Sequence, residues 1–124
     1  MVSAVVLFYY AEHMARREHL GEFEHIVLLA VLRLGADAYG VPIRSEIEHR
    51  TGRSLTVGAL YRTLDRLEHK GYVNSWFSDP TPERGGRSRR YFSVRPLGLR
   101  TLRASRDALA AMWEGLEPQV TRGS

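Results

Sequence analysis

The sequence predicts a mostly α chain of the α+β class, with a helix-turn-helix, a two-stranded β-hairpin and a long final helix. Three observations predict it. Apolar residues recur at helical spacing through 22–34, 39–51 and 55–72. Two alternating, β-rich runs between Tyr72 and Arg95 flank a polar loop dense in Pro and Gly. After Pro96, Leu102, Leu109 and Leu116 recur every seven residues. With 124 residues, one domain is the natural count, and 44% apolar residues suffice for one modest core.

The chain opens with the apolar run VSAVVLFYY, Val2 to Tyr10. It is too short to span a bilayer and lacks the basic region of a signal peptide. Residues 1–19 are therefore expected to be a helical extension that packs on the body or on a second subunit. A start at Met14 is the alternative. No membrane span is expected.

From Glu22 to Leu34, apolar residues cover most of the helix circumference, so this helix needs neighbours on several sides. Gly35-Ala36-Asp37 is a turn. Pro42 is tolerated only in a first helical turn, which fixes the next helix start near Gly40 or Val41. Its Ile43 and Ile47 face inward, and Gly52 suits its C-terminal end.

The helix within Leu55 to Tyr72 carries two faces. Leu60, Leu64 and Leu67 share the apolar one. Tyr61, Arg62, Asp65, Arg66 and His69 point elsewhere. Thr56 can act as N-cap and Gly71 can end the helix. Gly58, in the first turn, lets another backbone approach a terminus whose free amides and dipole attract anions. Such a helix suits insertion into a DNA major groove. Two helices joined by a tight turn and followed by a hairpin make a winged helix-turn-helix.

Charge supports an anionic partner. From Arg84 to Arg106 there are eight arginines and no acid, whereas charges before Arg84 nearly cancel. The bland alternative is a solvated charged face. The seam of the last helix, Leu99, Leu102, Leu109, Met112, Trp113 and Leu116, is exposed on so small a body unless covered. The same helix of a second subunit is the economical cover, and the chain's own first helix is the alternative.

Enzymatic readings find no support. There is no phosphate-binding Gly-rich loop and no His-Glu-x-x-His. The five histidines lack zinc-ligand spacing. No cysteine is present, so disulfides and thiolate metal sites are excluded and a cytoplasmic setting is expected. No metal, cofactor or catalytic residue is assigned.

Four segments, LGEFEHIVLLAVLRLG, AYGVPIRSEIEHRTG, LTVGALYRTLDRLEHKGYV and ERGGRSRRYFSV, resemble the PadR family of bacterial transcriptional regulators. The resemblance runs from Leu20 to about Leu116. It implies a winged helix-turn-helix over 20–95, a dimerisation helix over 96–117 and a tail over 118–124. It further implies a homodimer that binds double-stranded DNA and usually represses transcription. One departure is Arg95-Pro96 at the start of the last helix, where many members have Thr-Pro. The N-cap hydroxyl is thus missing.

DNA contacts are expected from helix 56–71 and wing 79–90. Thr56, Gly58 and Tyr61 match the start of the family's recognition helix, and their hydroxyls and amides can bond phosphates. Arg62 can reach a phosphate or a guanine edge. Arg66, a turn further, suits a phosphate or a surface pairing of the Asp65 type. Arg87, Arg89 and Arg90 match the basic wing; Arg89 and Arg90 are strand neighbours, so at most one faces DNA. For each arginine the alternative is a solvated charge, and for Tyr61 it is packing on the second helix. A second function remains: a sensor of flat hydrophobic compounds at the dimer interface. Trp76 and Trp113 carry it, with plain packing as their alternative.

Overall fold

The computed structural model describes residues 3–5, 7 and 20–122, the side chains of Arg84 and Arg122 excepted. Of the expected N-terminal helix only the turn closed by Leu7 N–H to Ser3 C=O (3.1 Å) falls among them. Its packing and the question of Met14 lie outside the described residues.

Helix α1 (Glu22–Leu34) packs against α2 (Gly40–Thr51), α3 (Val57–His69), the strand Arg90–Val94 and α4 (Pro96–Trp113). Its near-continuous apolar surface explains that central place. Val27 and Leu28 are fully buried, and of its apolar residues only Leu29 and Leu32 are exposed. Ile43 and Ile47 of α2 and Leu60, Leu64 and Leu67 of α3 complete a core closed by Tyr72, Val73 and Phe92. Each such leucine contributes about 1.5–3 kcal/mol on burial.

Glu24 locks α1 to α3. Its carboxylate accepts from the Gly21 amide (3.0 Å), Lys70 Nζ (2.8 Å) and Arg66 Nε (3.4 Å). Burial pushes its carboxyl up; Lys70, the Gly21 amide and Arg66 together outweigh that and hold it below its ordinary value. Helix α3 ends as its sequence suggests. Gly71 N–H bonds Glu68 C=O and Tyr72 N–H bonds Leu67 C=O, with Gly71 at φ +84°. This left-handed closure needs glycine and turns the chain directly into the sheet.

Strands β1 (Val73–Phe77) and β2 (Arg90–Val94) pair antiparallel, Val73 opposite Val94 and Phe77 opposite Arg90. A third, minimal strand was not legible in the sequence: Tyr39 bridges Tyr91, and Phe92 N–H bonds Ala38 C=O (2.9 Å). The wing is thereby fastened to the start of α2. Between β1 and β2 the loop holds a single 3-10 turn, Pro82–Arg84.

Helix α4 starts at Pro96 with Arg95 as N-cap and no side-chain cap, as the missing hydroxyl implied. A Cβ on Gly98 would strike the Tyr72 carbonyl oxygen, so this glycine permits α4 to sit directly on the sheet. The helix ends at Trp113, earlier than the expected residue 117. Gly115 (φ +82°) then leads into a short helix α5 (Glu117–Arg122) where a tail was expected.

Leu102 requires a correction. It was expected on a subunit interface, but it is 6% exposed in this chain's own core. Gly98, Thr101, Leu102 and Ser105 form the stripe that rests on the body. The continuation of that stripe through Leu109, Met112 and Trp113 is bare, as is Leu116 beyond it, and Leu99 lies at its edge.

Candidate nucleic-acid interface

The exposed end of α3 is built by its cap. Thr56 Oγ1 accepts the Ala59 amide (3.1 Å). The amides of Val57 and Gly58 precede the first intrahelical bond, Leu60 N–H to Thr56 C=O. Both residues are exposed, so this terminus offers backbone donors to an anion. A Cβ on Gly58 would meet only Arg62 Nη1, at 3.4 Å. Arg62 is exposed and lies beside that glycine.

Tyr61 is half-buried. Its hydroxyl lies so close to Gly40 that a Cβ there would strike it, and its ring tilts onto Phe92 at 6.5 Å. The packing alternative for Tyr61 is what the geometry shows: the ring packs on the start of α2, and the residue also lines a groove. That groove runs between Val41 and Tyr61 on one side and Arg87 to Arg90 on the other. It adjoins a groove between α2 and α3 that reaches Val57, and the two share Gly40, Val41 and Tyr61.

Arg89 is held over the Tyr39 ring (4.3 Å), and Tyr39 meets Tyr91 edge-on (5.4 Å). The Arg89 amide donates to Ser78 Oγ at 2.9 Å, which fixes the root of the wing loop. Arg87 is exposed near the wing tip. Trp76 stacks on Tyr91 (6.1 Å between centroids) and remains 46% exposed. Trp76 is thus a wing residue, Trp113 ends α4, and neither is buried in the core.

Two expected contacts are placed differently. Arg66 turns away from Asp65 and toward α1, bonding Glu24 and Thr63 Oγ1 (3.3 Å). Its position on α3 lies nearer the buried flank than that of Arg62. Arg90 turns inward and bonds Asp65 and Glu68, both at 2.9 Å. Arg89 precedes β2 and Arg90 opens it; both border the groove, but Arg89 lies over Tyr39 whereas the Arg90 guanidinium reaches the acids of α3.

Residues the sequence did not single out complete the site. Tyr39 is the platform under Arg89, and Gly40 is the seat for Tyr61. Val41 and Val57 stand exposed where a second groove separates α2 from α3. The Tyr-Gly pair ahead of Pro42 was the available signal, but it reads equally as a plain helix start. Among the described residues no group of three metal-ligating side chains occurs, and no helix is long and apolar enough to cross a membrane.

Comparison with known proteins agrees with this geometry. The model of the transcriptional regulator PadR-like family matches residues 28–104. An uncharacterised protein of Lysinibacillus sphaericus is 31% identical over 80 residues, covering 63% of this chain and 69% of that protein. A PadR family transcription regulator of Clostridium difficile R20291 superposes with a TM-score of 0.61 at 23% identity, over 77% of this chain and 98% of that one. A PadR family transcriptional regulator of Eggerthella lenta gives 0.61 at 21% identity, over 94% and 96%. At these identities the structures speak for the fold.

Proposed function

Since this chain belongs to the PadR-like family of transcriptional regulators, we propose that it is a homodimeric, operator-binding repressor working in the cytoplasm, beside the chromosome. The observation that carries the reading is the shared groove. The groove beside the wing arginines Arg87 and Arg89 adjoins the groove that reaches Val57 at the exposed end of α3, and Gly40, Val41 and Tyr61 line both. Helix N-terminal residues serve base edges and phosphates. An arginine at a Gly-flanked tip suits a narrow minor groove. Thr56, Gly58, Tyr61, Arg62, Arg87 and Arg89 form the DNA-facing set. Arg90 lies outside it because two carboxylates hold it at 2.9 Å, and Arg66, more loosely paired with Glu24 at 3.4 Å, is at most a peripheral phosphate contact.

The dimer reading rests on α4. The stripe that seats its first half on the body continues bare through Leu109, Met112 and Trp113, the last two 75% and 43% exposed. A second copy of the same helix would cover it. The exposure of Trp113 on this stripe also supports a second reading, a flat hydrophobic effector held between subunits. Quenching of tryptophan fluorescence by aromatic compounds would support it, and unchanged emission would count against it.

The test of the first reading is a titration with DNA from the protein's own promoter region at two salt concentrations. Wild type should bind one fragment tightly, with log K falling linearly against log salt by about 0.9 per phosphate neutralised. The variant Arg62→Ala/Arg87→Ala should lose that preference and show a shallower slope. Equal, weak binding of every fragment by both proteins would refute the reading.

A further inference from the structure

Arg90 opens β2 at the last rung of the ladder, opposite Phe77, where the wing loop begins. Its side chain is 22% exposed. All three guanidinium nitrogens donate: Nη1 to Asp65 Oδ1 (2.9 Å), Nη2 to Glu68 Oε1 (2.9 Å) and Nε to Ser75 Oγ (3.2 Å). The Ser75 hydroxyl in turn donates to the other oxygen of Glu68. The guanidinium also lies 4.9 Å from the centre of the Phe92 ring. A planar fork suits several simultaneous acceptors in a way an ammonium does not.

The position of the acids makes this more than a surface pairing. Asp65 is 60% exposed and follows Arg62 by three residues, on the same outer face of α3. Left bare, Asp65 would set a negative charge beside a DNA phosphate. It would also be the nearest partner for Arg62 and draw it from DNA.

We propose that Arg90 is a positioning residue: it struts the wing against α3 and neutralises Asp65 and Glu68, keeping Arg62 available for DNA. The DNA consequence rests on the regulator reading above, and the strut itself does not. Arg90 touches no DNA in this account and acts through the residues it holds.

The test has two arms. The first needs no DNA. Hydrogen exchange of the free protein, read by mass spectrometry over residues 73–94, should speed up in the wing of Arg90→Gln and stay unchanged in α1. Unchanged wing exchange would overturn the strut. The second arm is a mutant cycle on the operator fragment. Arg90→Gln should weaken binding by about tenfold in the wild-type background and by less than about twofold in the Asp65→Asn/Glu68→Gln background. Equal losses in both backgrounds, with the salt slope reduced by about one unit, would make Arg90 a direct phosphate ligand and overturn the proposal. No loss in either background would overturn it as well. If Arg90→Gln lacks the native circular dichroism, Arg90→Lys takes its place, keeping the charge but not the fork. Should wild type bind no fragment selectively, the regulator reading fails and the exchange arm alone decides the strut.

Discussion

Replacing Glu24 by Gln should destabilise the fold by about 2–3 kcal/mol at neutral pH. The carboxylate is 9% exposed and holds Lys70 at 2.8 Å and Arg66 at 3.4 Å. A hydrogen bond to a charged partner contributes about 1.5–3 kcal/mol. Lys70 is 31% exposed, so part of its loss is recovered by water. The Arg66 contact is long and its side chain 52% exposed, which puts it on the surface scale, below about 1 kcal/mol. Gln keeps an acceptor for the Gly21 amide but presents its own donors to an ammonium. For a domain of this size the total corresponds to roughly 8–12 °C in Tm. The assay is thermal unfolding by circular dichroism at fixed protein concentration, across pH. The native carboxyl titrates below its ordinary 4.5, so its contribution is complete above that value and is lost as pH falls through the depressed native one. The gap between wild type and variant should therefore hold from neutral pH to about 5 and close in stronger acid. A neutral-pH gap below about 2 °C, or one that stays constant into strong acid, would refute the assignment of Glu24 as the ionised link between α1 and α3.

Gly40→Ala should weaken operator binding by about tenfold or more, because a Cβ there displaces the Tyr61 ring from its seat. Gly58→Ala meets only the flexible end of Arg62 and should raise Tm through a helix gain of about 0.5–1 kcal/mol. Wild-type binding by Gly40→Ala would show that the seat does not position the ring. Leu102→Ala should cost about 2–4 kcal/mol in denaturant unfolding, as for a core leucine, with the oligomeric state unchanged. Met112→Asp, at a 75% exposed position, should leave the circular dichroism native and shift sedimentation to the monomer. Sedimentation identical to wild type would remove the bare stripe from the interface.

The helices were legible because each carries its own punctuation. Pro42 and Pro96 fix starts, Thr56 caps, and Gly52 and Gly71 close. Apolar spacing then orients each helix without knowledge of its neighbours. The stub at Tyr39 was not legible, since one residue has no period. Nor was the end of α4: leucines continue to Leu116, and spacing alone cannot show that Glu114 and Gly115 break the helix first. Leu102 and Leu109 share one stripe and one residue type. They differ only in whether the body reaches that far, a tertiary fact absent from periodicity.

The arginines set the same boundary within the site. Arg62 and Arg66 are one turn apart on α3, and Arg89 and Arg90 are neighbours where the wing loop enters β2. Alternation assigns the members of the second pair to opposite faces but does not say which face meets DNA. The carboxylates decide. Glu24 sits 42 residues from Arg66, and Asp65 sits 25 residues from Arg90, so neither pairing leaves a local signal. Arg62 lies beside Gly58, and Arg89 finds an aromatic ring that leaves its charge uncancelled. A basic block of eight arginines therefore overstates the charge offered to an anion. On the proposed reading, long-range pairs joining α1, α3 and the wing withdraw Arg90, and more weakly Arg66, from the charge this chain offers to DNA.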